Sequence, residues 1–298
     1  MAIPTVVGNV SLTAAVGAVT KAWPGGIVTD DVAFLFVQRA NQAASLSVPS
    51  GFVLLHANGT GVPGAAGATG LSVFGCRATS SVMPDVTVAA GGDHNMASML
   101  VIRGIPRTLP LTSILIVSDV LAAPGDAAPV APASSSSADD ALILVAVAHG
   151  IDTTTPQFSA WTNADFALPA ATELQDGSSN PGVGGGLGIA DGGRQRAGAF
   201  GTTTATMVAA SAQVRMVITL PSTSPVSPAF VAQVAAILAF GPPYEIDGIV
   251  YDVVMTLDFD CLVFSRVGPV VDPLAPATTV RAVINLNDVS VFRGRNAP

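Results

Sequence analysis

The chain reads as an all-β protein, a jelly-roll β-sandwich with a small C-terminal β subdomain. Three observations predict this. Helix-favouring charged residues are almost missing: Lys21 is the one lysine, and Glu173 and Glu245 are the two glutamates, while Val, Thr, Gly, Pro and Ser recur throughout. Short apolar runs alternate with turn signals along most of the length. An acidic pair leading into a continuous apolar run occurs twice, at Asp30-Asp31 before Val32–Val37 and at Asp139-Asp140 before Ala141–Ala146.

The first strand is expected at Thr5–Leu12. The second, Val32–Val37, follows the turn residues Pro24-Gly25-Gly26 and the first acidic pair. Phe52–His56, Leu71–Arg77, Val86–Ala89 and Met96–Arg103 come next, at a spacing that suits a sandwich. Residues 121–138, with Pro124-Gly125, Pro129, Pro132 and Ser134–Ser137, read as a long surface crossover. A second pass over the same plan follows. In it Ala141–Ala146 echoes Val32–Val37, Trp161–Leu174 loosely echoes Gly51–Leu55, and Val231–Leu238 echoes Ala97–Ile102. Runs that are apolar without alternation are covered on both faces. Two similar half-sheets joined by a crossover suit a jelly roll, whose sheets pack face to face at ~10 Å. The glycine-rich stretch Gly177–Gly201 has few side chains to offer a core and reads as a long loop around one short strand, Leu187–Ala190.

After Gly241-Pro242-Pro243 aromatic and acidic residues return, which divides the chain into a sandwich over 1–242 and a small unit over 243–298. Further strands are expected there at Ile249–Leu257, Cys261–Val267, Thr279–Leu286 and Val289–Phe292. A β unit of that size needs a neighbour to be stable.

Composition narrows the function. Half of the residues are apolar and 11% are charged, against roughly 25% in ordinary soluble domains, so much of the surface is neutral and suited to contact with neighbours. The longest apolar stretch, Ala229–Phe240, carries Gln233 and falls short of the ~20 residues of a membrane-spanning helix. Met1–Thr20 lacks the basic leader of a secretory signal, so synthesis in a cytoplasm is expected. Cys76 and Cys261 stand alone, without metal-ligand or paired spacing, and read as buried thiols. The net charge of −8, with no basic run, argues against nucleic-acid binding.

No catalytic, cofactor or metal residue is assigned. There is no G-x-S-x-G elbow, and His56, His94 and His149 sit at strand ends or in a turn. Gly59-Thr60-Gly61-Val62-Pro63-Gly64 matches a dinucleotide fingerprint in form, but Pro63 stands where the helix would start. Lys21 follows threonine, which excludes a phosphate-binding loop lysine. Asp258 and Asp260 would share one strand face and could serve a calcium ion or a glycosidase; acids beside strand starts are more commonly solvated turn formers. Sugar binding would need exposed aromatic faces. The supply is thin, with Trp161 expected in the core opposite Phe52 and Trp23 open to either role.

The order of an acidic pair and apolar strand, Pro49-Ser50-Gly51-Phe52, Gly70-Leu71-Ser72-Val73-Phe74-Gly75-Cys76-Arg77-Ala78, and Met99-Leu100-Val101-Ile102-Arg103-Gly104 resembles a jelly-roll module of tailed-bacteriophage virion proteins. The match covers residues 28–240 and departs in having Phe52 where tryptophan is common. The resemblance implies a capsid decoration (cement) protein on the virion surface, made in the bacterial host cytoplasm. Its expected partners are the major capsid protein and copies of itself, with a trimer as the default by analogy. The alternative is a tail-associated host- or glycan-binding protein. Trp23, Tyr244, Tyr251, Arg293 and Arg295 are the candidate interface residues, chosen by composition.

Overall fold

The computed structural model describes residues 3–40, 46–62, 67–91, 93–166 and 170–222, and the backbone of four short strands between 244 and 285. The chain divides into two units, Met1–Ser224 and Pro225–Pro298. The boundary expected at 242/243 lies outside the described residues.

The first unit is all-β and is built twice over. Its first half comprises β1 (Thr5–Ala15), β2 (Val19–Lys21), β3 (Val32–Ala40), β4 (Val53–Thr60), β5 (Thr69–Arg77), β6 (Val86–Val88) and β7 (Asn95–Arg103). A single 3-10 turn, Leu111–Ser113, leads into the second half. That half comprises β8 (Leu115–Asp126), β9 (Val130–Ala131), β10 (Ser134–Ser136), β11 (Ala141–His149), β12 (Phe158–Thr162), β13 (Thr172–Ser179), β14 (Gly185–Arg194), β15 (Gly198–Phe200), β16 (Thr203–Met207) and β17 (Ser211–Leu220).

Each half contributes one five-stranded antiparallel sheet, ordered β1-β7-β3-β5-β4 in the first and β8-β17-β11-β14-β13 in the second. The pairs are nested from the outside in: β1 with β7, β2 with β6 and β3 with β5, then β8 with β17, β9 with β16, β10 with β15 and β11 with β14. Such nesting is jelly-roll winding, and each half carries it separately. The two large sheets pack face to face on one core that includes Phe34, Phe36, Leu71 and Leu100 from the first and Leu144, Leu187, Ile189 and Ile218 from the second. Outside each large sheet lies a small one, β2-β6 or β12-β16-β9, closing an outer core. The central strands β3 and β11 are therefore buried on both faces, which explains their unbroken apolar runs.

Contacts between the sheets are reciprocal. β5 meets β11 and β17, while β14, its counterpart, meets β3 and β7; β4 lies beside β8 as β13 lies beside β1. This isologous pattern is that of a twofold dimer held within one chain. Registers give the exact equivalences: Val32 pairs with Arg77 and Ile102, and Leu142 pairs with Gly193 and Leu220. Val32 therefore corresponds to Leu142, one residue beyond the match suggested by the acidic pairs. Asp30 and Asp140 are the true counterparts, and both have positive φ, 74° and 56°.

Several expectations need correction. Residues 121–138 are not a free crossover, since β8, β9 and β10 run through them. The counterpart of β7 is β17, not Val231–Leu238, which lies outside the described residues. The glycine-rich stretch holds β14, a ten-residue strand buried along nearly its whole length. Its glycines make room for aromatic rings: a Cβ on Gly188 would stand 2.4 Å from Phe158 Cδ2, and one on Gly192 would stand 2.1 Å from Phe166 Cδ2. The core that these residues lack in side chains is supplied from β12 and the turn after it. Trp161 is buried but not opposite Phe52. It stacks on Phe158 in the second outer core, with ring centroids 5.4 Å apart, while Phe52 sits in the first.

In the second unit β18 (Tyr244–Ile246) pairs with β19 (Ile249–Tyr251), and β20 (Cys261–Ser265) pairs with β21 (Arg281–Asn285). The strand expected at Val289–Phe292 lies outside the described residues, as do Asp258 and Asp260.

Candidate functional site

The motif residues of the first half are spent on closing one end of the fold. Arg103 grips the buried Asp31 with both arms, Nε to Oδ1 at 2.9 Å and Nη2 to Oδ2 at 2.8 Å, while the Val28 amide donates to Oδ2 at 2.8 Å. Burial alone would raise the Asp31 carboxyl pKa; the Arg103 hydrogen bonds, the Val28 amide and the Arg103 charge outweigh it and hold the pKa below its ordinary value. Arg77 donates to the carbonyls of Asp30, Pro106 and Leu109, tying the segment between the halves to β5. On β14, Arg194 likewise holds the Ala199 carbonyl at 2.9 Å.

Lys21 is fully buried, and its ammonium donates to Ser11 O and Thr13 Oγ1, both at 2.6 Å, where β1 departs from regular register with β7. Burial lowers its pKa to about 8. His149 is buried as well. The Ile151 amide donates to Nδ1 at 3.2 Å, so Nε2 carries the proton toward Ser178 Oγ, also 3.2 Å away. This imidazole is neutral, its pKa lowered by burial to about 3.

At the β4/β8 seam His56 Nε2 stands 2.7 Å from Ser118 Oγ, which also accepts from Asn58 Nδ2 at 2.9 Å. The distance is that of a nucleophile and its base. The other seam shows its purpose. His56 pairs with Val73, whose counterpart Ile189 pairs with Gln175, so His56 corresponds to Gln175. Gln175 crosses to β1, donating to Asn9 Oδ1 and accepting from the Leu12 amide at 3.2 Å. Each seam thus has polar side chains bonding across it, and the Ser–His contact is one of these ties. Because Ser118 and His56 come from different halves, no local motif announces them.

The same equivalence exposes a difference between the seams. Along β4 and β8, Val53, Leu54, Leu115 and Val120 are each between 41% and 45% exposed. Their counterparts at the β13/β1 seam, by register, are Thr172, Glu173, Gly8 and Ala14. At these four positions the β4/β8 seam is the more apolar of the two.

Of the residues expected at an interface, Trp23 is half-buried against Phe52, with centroids 6.1 Å apart, at the edge of the first outer core. Tyr244 and Tyr251 are brought directly opposite one another in the β18–β19 ladder. Arg293 and Arg295 lie outside the described residues. Among the described residues no group of three or more His, Cys, Asp or Glu could hold a metal ion, and no helix is long and apolar enough to cross a membrane. Trp161 is unavailable for sugar stacking, since it is buried and its Nε1 donates to Glu173 Oε2 at 2.9 Å.

Compared with known proteins, the chain matches no family model, no curated protein sequence and no solved structure.

Proposed function

We propose that this chain is a non-catalytic structural protein of a tailed-bacteriophage particle. In this reading it is a capsid decoration protein that binds as a homo-oligomer over junctions of the major capsid protein and stabilises the mature head. It is made in the bacterial cytoplasm and ends on the virion surface, with no cofactor and no nucleic-acid contact. The supporting observation is the apolar exposure at the β4/β8 seam, where the equivalent positions of the other seam are Thr172, Glu173, Gly8 and Ala14. A surface that departs from its internal duplicate by gaining Val53, Leu54, Leu115 and Val120 is suited to burial against a partner. The reactive side chains support the same reading, since Arg77, Arg103, His56, His149 and Lys21 are engaged in holding strands and loops together. Many weak copies of one contact, each of standard size at ~1,600 Å², act multivalently on a shell.

The test gives the apolar seam a residue of its counterpart. Purified wild-type chain is expected to bind expanded heads lacking decoration and not host envelopes. Leu54→Glu, which copies Glu173, is expected to weaken head binding about tenfold, or about 1.4 kcal/mol, with the melting temperature unchanged. Binding to envelopes but not heads would replace this reading with the tail-associated host-binding one. Head binding untouched by Leu54→Glu would remove the seam from the contact.

A further inference from the structure

At one end of the facing sheets the twofold likeness of the halves fails in a consistent direction. The first half places Gln38, Thr69 and His94 on its inner face, all buried, with Gln38 Nε2 donating to Thr69 Oγ1 at 3.1 Å. By register the corresponding positions of the second half are Ala148, Gly185 and Ala212. The small residues leave room that the large ones use: a Cβ on Gly185 would stand 2.3 Å from Gln38 Nε2. The glycine turn leading into β14 closes over the same end. Gly182 and Gly184 have φ of 67° and 74°, the Val183 amide donates to Asp93 Oδ2, and a Cβ on Gly182 would stand 2.3 Å from Asp93 Oδ1. Nearer the middle bulk and room are divided within one row, the first half having Phe36 beside Ser98 where the second has Ala146 beside Met216.

We propose that the two halves are keyed to each other by this division of bulk and room, so that the inner face of each half fits the unlike half only. Two first halves facing one another would bring two sets of Gln38, Thr69 and His94 into one space. Two second halves would face each other across a void. An isologous face that would otherwise pair with any copy of itself is thereby restricted to one partner. Copies of the chain cannot join like to like through it, and lateral association in an oligomer must use the outer surfaces. The inference rests on the registers and packing of the first unit and does not depend on the particle reading.

The twofold relation supplies the test, because the mirror image of Gln38 seated over Gly185 is a glutamine at 148 seated over a glycine at 69. The full-length chain is compared as wild type, Ala148→Gln, Thr69→Gly and the double variant by thermal unfolding. Each single variant is expected to melt lower than wild type, Ala148→Gln because it meets Thr69 and Thr69→Gly because it loses the Gln38 hydrogen bond. The double variant is expected to melt above Ala148→Gln. Should Ala148→Gln fail to fold, folding of the double variant is the expected result. A double variant that melts at or below Ala148→Gln, or does not fold, overturns the proposal, as does an Ala148→Gln chain as stable as wild type.

Discussion

Asp31 shows how one carboxylate can fasten the end of a sheet. It is 2% exposed and takes both arms of an Arg103 that is itself 44% exposed, so removing the arginine strands a charge in the interior while the charged partner lost is half in water. Arg103→Ala is expected to destabilise by about 2 kcal/mol, between the values of exposed and buried pairs, measured by urea denaturation. Histidine sets a second residue-level expectation. The His149 pKa falls from 6.5 to about 3 on folding because the imidazole is buried. The unfolded chain therefore binds a proton that the folded chain refuses between those values. Stability from this group is intact above pH 6.5 and declines as pH falls toward 3, with a slope approaching 1.4 kcal/mol per pH unit. Asp191 opposes it: burial raises its pKa from 3.8 to about 6, so its contribution declines as pH rises through that window. The two slopes compensate between about pH 4 and 6. His149→Gln is expected to lose the acid decline and leave stability falling from pH 4 to 6; an unchanged pH profile in that variant would contradict the assignment.

Among the elements, legibility followed side chains. β3 and β11 were readable because each holds a continuous apolar run, the pattern of a strand covered on both faces, and β5 and β7 because Leu71–Arg77 and Met96–Arg103 are largely apolar runs between turn signals. β14 was not, because its glycines contribute no side chains and the bulk against them comes from Phe158 and Phe166, distant in sequence. β17 escaped because Gln213, Arg215 and Thr219 interrupt its apolar residues; Arg215 is accounted for by Asp119 on the neighbouring strand, 2.7 Å away. The acidic echo was seen but matched one residue out of register, an error that exchanges the two faces of a strand. Gly192→Ala tests the account of β14. A methyl 2.1 Å from the Phe166 ring is expected to cost about 2 kcal/mol by overpacking, and a neutral substitution in thermal unfolding would show that the ring does not lie on that strand.

At the largest scale described, that of the first unit, repetition is the organising fact. Two jelly-roll halves face each other through equivalent sheets, and the proposed shell contact and the proposed keying of the halves rest on the departures from equivalence: exposed Val53, Leu54, Leu115 and Val120 where the duplicate has Thr172, Glu173, Gly8 and Ala14, and bulk where the duplicate leaves room. The all-β sandwich was legible from composition and run lengths. The apolar seam was not, because it is visible only when β4 is compared with β13 and β8 with β1, and those equivalences come from register. The Tyr244–Tyr251 pairing was equally hidden, since cross-strand partners follow from the hairpin rather than from spacing.

The most direct measurement of the central claim is side-chain-resolution cryo-electron microscopy of intact particles, with this chain located in the map. The account expects it on the head exterior over capsomer junctions, with Val53, Leu54, Leu115 and Val120 buried against the shell or a neighbouring copy. Density for the chain confined to the tail, or a head-bound subunit with that seam facing solvent, would contradict it.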